Sequence, residues 1–123
     1  MIDHISVAVS DLSRSTRFYE AVLGVIGYEP LSIRGSTVGF GKQYPEFWIN
    51  RRSEMTPVAQ DSGVHICLRA ESTGAVNAFH EAALASGGTS DGAPGLRSEY
   101  NDRYYAAFVR DPDGNRIEAV TFV

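Results

Sequence analysis

Polar and apolar positions alternate over residues 2–9, with Ile5, Val7 and Val9 on one face and His4, Ser6 and Ala8 on the other. A period of two marks a half-buried strand. Residues 64–70 repeat the pattern: Val64, Ile66 and Leu68 take one face, His65, Cys67 and Arg69 the other. After the first strand, Ser10 or Asp11 is placed to cap a helix running to about Gly24, with Ser15, Tyr19, Val22, Leu23 and Ile26 on one stripe and Gly27 at its end. After the second strand, Ser72 caps a helix that carries Val76, Phe79 and Ala83 and is stopped by Gly87-Gly88.

The likeness of the two halves is a repeat. Sliding the chain against itself by 61 residues aligns His4, Ile5, Phe18, Glu20, Ala21, Leu23 and Gly27 with identical residues, seven of the 24 positions from His4 to Gly27. The rest of each half reads as short strands, about 29–33, 36–41 and 46–51 in the first and about 104–110 and 115–121 in the second. Asp111-Pro112-Asp113-Gly114 makes the turn between the last two, and a further strand near 89–92 completes the second set. The expected class is α+β: two βαβββ modules, 1–52 and 63–123, within a single domain. Segments 52–62 and 92–103 are expected as loops, the second as a mobile lid.

Length and charge narrow the functions. A chain of 123 residues suits one domain with its own core. The net charge is -4, and the eleven Lys and Arg form no run or one-sided stripe, which argues against a nucleic-acid partner. No basic segment followed by an apolar core opens the chain, and no stretch nears the roughly 20 apolar residues that span a bilayer, so a soluble cytoplasmic protein is expected. The single cysteine, Cys67, can form neither an internal disulfide nor a CxxC zinc site. Gly35, Gly39 and Gly41 precede no helix that could receive a phosphate, and there is no GxSxG elbow.

The chemistry gathers on three residues. His4 and His65 begin equivalent strands on the face away from the aliphatic residues, so pseudo-symmetry lets them converge. Glu118 lies between Ile117 and Ala119 in an apolar strand, where a carboxylate requires a cation or hydrogen-bond donors. Two imidazoles and a carboxylate form a divalent-metal set with open positions for water or a bidentate substrate. The alternative is that each histidine bonds a backbone carbonyl while Glu118 pairs with Arg116 or Arg69.

The run His4 to Leu12, then Phe18-Tyr19 and Val22-Leu23-Gly24, resembles the opening of glyoxalase and bleomycin-resistance proteins of the vicinal-oxygen-chelate group. Ala107 to Glu118, with its Asp111-Pro112-Asp113-Gly114 turn, resembles their closing hairpin. The resemblance covers essentially the whole chain. It implies paired βαβββ modules forming an open eight-stranded, mixed, barrel-like sheet, and a homodimer with sites between modules. It also implies one divalent ion, Zn, Ni, Mn or Fe, held by His4, His65 and Glu118.

Departures from the family pattern limit the reaction. The second glutamate that completes the glyoxalase I site falls at Trp48 or Asn50, with Glu46 two residues early, so classical lactoylglutathione isomerisation lacks its base. Ring-cleaving dioxygenases place a further histidine near oxygen, whereas His80, the only one left, sits on a helix at the place matching Tyr19. Thiol transferases that inactivate fosfomycin carry a threonine where Ser6 stands and a tyrosine where Phe108 stands.

The resulting expectation is a lyase- or isomerase-type metalloenzyme whose small substrate chelates the ion through neighbouring oxygens, with an enolate or alkoxide stabilised by charge. Ser6, Trp48, Asn50, Arg69 and Phe108 are the substrate-binding candidates. Proton transfer falls to Glu99, Asp102 or water, and Tyr105 is a further candidate. Tyr104, Ala106 and Phe108 are expected to share a face with the neighbours of Glu118, while Arg69, Arg97 and Arg103 are possible anion clamps. The competing expectations are a metal-free protein of the bleomycin-resistance kind, sequestering an aromatic or cationic ligand with Trp48 and the tyrosines, and a thiol transferase or dioxygenase of the same group.

Overall fold

A computed structural model describes residues 1–123. The first module contains β1 (Ile5–Val9), α1 (Leu12–Gly24), β2 (Glu29–Arg34), β3 (Thr37–Gly41) and β4 (Pro45–Arg51). The second contains β5 (His65–Arg69), α2 (Thr73–Ala85), β6 (Thr89–Leu96), β7 (Tyr104–Arg110) and β8 (Arg116–Phe122). Asp11 and Ser72 cap the helices, accepting from the Arg14 and Ala75 amides. Gly27 and Gly87 turn the chain out of the helices at φ of 92° and 98°, a region in which other residues are strained.

The modules repeat one topology. The first sheet has strand order β1-β4-β3-β2 and the second β5-β8-β7-β6, with the edge pairs β1/β4 and β5/β8 parallel and all others antiparallel. The eight strands thus form two four-stranded mixed sheets, one per βαβββ module, in the open arrangement expected of paired modules. The modules are joined by the packing of α1 on α2 and by a single core built from both, including Phe18, Tyr19, Val22, Phe47, Phe79 and Ile117. Burying these apolar side chains at roughly 25 cal/mol per Å² is what holds both helices on one side of the sheets.

A polar clasp reinforces that core. Asp113 accepts from the Ser10 amide (3.0 Å) and hydroxyl (2.5 Å), and the Asn115 amide group donates to the Ala8 carbonyl (2.8 Å). Buried Asp111 accepts from the Tyr19 hydroxyl at 2.6 Å. The turn that closes the last hairpin therefore grips the β1–α1 corner of the other module.

One expected loop is different. Strand β6 runs to Leu96, so the first five residues of the predicted 92–103 lid are strand, with its register broken between Ser90 and Gly92 and again between Gly92 and Gly95. Gly and Pro read as loop in the sequence, but an edge strand accommodates them at bulges. Residues 97–103 form a hydrogen-bonded turn closed by the Arg97 amide on the Tyr104 carbonyl at 2.8 Å. No helix is long and apolar enough to cross a membrane.

Candidate functional site

The face of each sheet opposite the helices carries the polar residues. On the second sheet the ladder aligns Cys67 with Glu118 and Glu118 with Phe108, so β5, β8 and β7 each contribute to one spot. Glu118 is only 2% exposed, and both of its oxygens are engaged. Oε1 lies 3.1 Å from His65 Nε2, and Oε2 accepts a short hydrogen bond from the Tyr104 hydroxyl. The buried carboxylate thus has the donors its burial requires.

Neither arginine named as its alternative partner reaches it. Arg116 donates to the Ser62 and Gln60 carbonyls, and Arg69 lies over the Phe122 ring at 4.7 Å. Burial and the bond to Glu118 push the Tyr104 phenol well up, keeping it protonated. Cys67 is exposed as a residue, yet shielding of its sulfur and the Glu118 charge push its thiol up to about 12. A thiol so raised is no nucleophile near neutral pH.

The first sheet supplies the other half of the expected set. Ser6 pairs with Trp48 and Ala8 with Asn50, so Ser6, Trp48 and Asn50 share one face. Ser6 and Cys67 are equivalent in the repeat, so the ladder makes Trp48, not Asn50, the counterpart of Glu118. His4, just ahead of β1, is exposed, with Nδ1 2.7 Å from Asp3 Oδ1. His4 and His65 border one open cavity of about 430 Å³, together with Tyr28, Glu46 and Cys67. Glu118 does not line that cavity, and within one chain no three His, Cys, Asp or Glu side chains form a metal-ready group.

The remaining candidates divide by strand parity. Phe108 and Arg69 lie on the Glu118 face, with the Phe108 ring centroid 6.3 Å from that of His65. Tyr105 does not, since its hydroxyl donates to Asn77 Oδ1 of α2 at 2.6 Å, on the helix side. Glu99 and Asp102 lie exposed in the 97–103 turn. His80 bonds Ser90 Oγ at 2.8 Å.

Sequence reasoning misplaced Tyr104, Ala106 and Phe108, grouping them with the neighbours of Glu118 when the ladder puts all three on the face of Glu118 itself. Pairing Arg110 with Arg116 across the hairpin aligns Phe108 with Glu118 and sets Tyr104 on the same face, four residues along the strand. Fixing that register from the turn is the signal that finds it.

Comparison with known proteins follows the same pattern. The model of the Glyoxalase/Bleomycin resistance protein/Dioxygenase superfamily matches residues 1–119. A crystal structure of a glyoxalase/bleomycin resistance protein from Albidiferax ferrireducens T118 superposes with a TM-score of 0.84 at 34% identity, covering 96% of each chain. Fosfomycin resistance protein FosX from Mesorhizobium loti superposes with a TM-score of 0.72 at 19% identity over 100% of this chain and 92% of its own, a likeness of fold. In sequence, the virulence protein STM3117 of Salmonella typhimurium is 29% identical over 99% of this chain and 84% of its own length.

Proposed function

This chain belongs to the Glyoxalase/Bleomycin resistance protein/Dioxygenase superfamily, and from that premise we propose that it is a metal-dependent enzyme of lyase or isomerase type, acting on a small substrate with two neighbouring oxygens. The observation that carries this reading is the 3.1 Å approach of His65 Nε2 to a carboxylate, Glu118, that is otherwise buried. An imidazole and a carboxylate held side by side on a polar face are two of the three protein ligands of an open divalent site.

The donor set fits such an ion once a third ligand is supplied. The Asp3 carboxylate at Nδ1 leaves His4 Nε2 outward, the arrangement that orients ligating histidines. Within one chain no third His, Cys, Asp or Glu completes the pair, so the proposed active form is a homodimer in which a second copy lays its first sheet over this face. A bound ion would supply Lewis-acid stabilisation of negative charge on the substrate oxygens. Tyr104 holds the Glu118 carboxylate in place, while Phe108 and Trp48 wall the site against water. Ser6 and Asn50, from the first sheet, would orient the substrate.

Elemental analysis of untagged protein purified anaerobically tests the reading, with Glu118→Gln for comparison. About one transition metal per chain is expected in the wild type, with at least tenfold less in the variant. A second reading, a metal-free protein that sequesters an aromatic ligand, is favoured by Trp48 standing where the first module would otherwise place an acid. Absence of metal from both proteins after supplementation would select it.

A further inference from the structure

Strand β6 breaks register twice, at Ser90/Gly92 and at Gly92/Gly95, and such bulges re-aim side chains. Here the displaced backbone forms a seat for Arg97. Its Nη2 donates to the Ala93 carbonyl at 2.6 Å and its Nη1 to the Gly95 carbonyl at 2.9 Å. The same guanidinium lies over the Phe108 ring, 5.4 Å from its centroid.

Glycine at position 92 makes the arrangement possible. A Cβ there would stand 3.0 Å from Phe108 Cδ1 and 3.2 Å from Arg97 Nη2, closer than the packed ring and guanidinium allow without shifting. Phe108 in turn is the cross-strand partner of Glu118 and the ring neighbour of His65. The cation is therefore fixed on the site face, one aromatic ring from the proposed ligands.

Arg97 forms no ion pair, whereas Arg14, Arg110 and Arg116 each meet an aspartate. Seven of the ten arginines form no ion pair, and among them Arg97 alone is held by two backbone carbonyls and an aromatic ring together. Two carbonyl contacts leave other donors of the five N–H groups free. Because backbone and ring already hold the fork in place, little side-chain freedom is lost when it takes a planar or tetrahedral oxyanion.

We infer that Arg97 recognises an oxyanion, carboxylate or phosph(on)ate, on the small molecule bound at the His65–Glu118 face. The inference rests on the proposed site for its location and makes the substrate class a small organic acid whose charged end lies on the Phe108 side. Arg97 is thus a specificity-determining residue, supplied by the bulged edge strand and not by the ligand strands.

Calorimetric titration of the full chain with malonate and with methylphosphonate, and with malonamide as an uncharged control, tests this. The wild type is expected to bind at least one anion and not malonamide. Arg97→Ala should weaken that binding by about tenfold or more, and Arg97→Lys, which keeps the charge without the fork, by about threefold. The preferred anion identifies the source as carboxylate or phosphonate. Metal content measured on the same preparations separates the two readings: Arg97→Ala should keep the wild-type content while losing the anion, and absence of metal throughout would leave the anion result standing. No binding of either anion at roughly 20 mM, malonamide bound as tightly as malonate, or unchanged affinity in the variants would overturn the inference. Should Arg97→Ala fail to fold, Arg97→Lys and Arg97→Gln carry the same decision.

Discussion

Two equivalent places in the duplicated scaffold hold different chemistry. In the first sheet the parallel ladder sets Ser6 beside Trp48, and in the second it sets Cys67 beside Glu118. Around Glu118 stand an imidazole and a phenol that engage its two oxygens. Around Trp48 the antiparallel neighbour is Gly39, the counterpart of Phe108, and the position matching Tyr104 is Gly35 in a turn. The indole packs where a Cβ on Gly39 would come within 2.8 Å of its ring. What permits a buried carboxylate is thus its neighbours on adjoining strands, and a duplicated backbone preserves none of them automatically.

The sharpest way to break the contrast is Trp48→Glu. With no phenol above it and a glycine across from it, the new acid lacks the two donors that engage Glu118, the Arg34 guanidinium loses the indole it lies over, and the ring's packing is lost. A loss of about 2 kcal/mol in urea denaturation is expected, with no gain in metal content. A smaller effect is expected from Gly39→Ala, whose added methyl must displace the indole or Pro45, destabilising by about 1 kcal/mol. Loss of the Trp48 fluorescence environment, measured in the same experiment, would locate the change.

The smallest effect concerns the clasp that joins the modules. Burial holds Asp111 above the ordinary carboxylate value of 3.8, despite bonds from Tyr19 and Asn115 that act the other way. A raised native pKa contributes stability that is fully present below the unfolded value and lost as pH rises through the native one. Asp111→Asn has no such dependence, so the stability advantage of the wild type over it should narrow as pH rises from about 4 to 7, by less than about 1 kcal/mol. A gap that widens over that range would contradict the assignment.

Much of this was legible in the sequence, for reasons that differ by element. Strand alternation and the capping residues Asp11 and Ser72 located both helices and the first strand of each module, because period and caps are local properties. The need of Glu118 for partners was also legible, since an acid between Ile117 and Ala119 implies them. Their identity was not, because Tyr104 reaches Glu118 only through the register of a hairpin and His65 only through a parallel crossover. Gly92-Ala93-Pro94-Gly95 concealed an edge strand behind a loop composition. The division of the strands into two sheets depends on how the modules pack, which no local pattern encodes.

The clasp also bears on the order of events as the chain is made. Its contacts join residues 92 to 107 positions apart: Tyr19 to Asp111, Ser10 to Asp113, Ala8 to Asn115. Contacts of such sequence separation close late and slow the search for the native state. While residues 111–115 remain inside the ribosome, the corner between β1 and α1 has no partner for its Ser10 amide or its Ala8 carbonyl, although every residue of the first module has already emerged. A nascent first half is therefore an incomplete half, open to the wrong neighbour until its own C-terminal hairpin arrives.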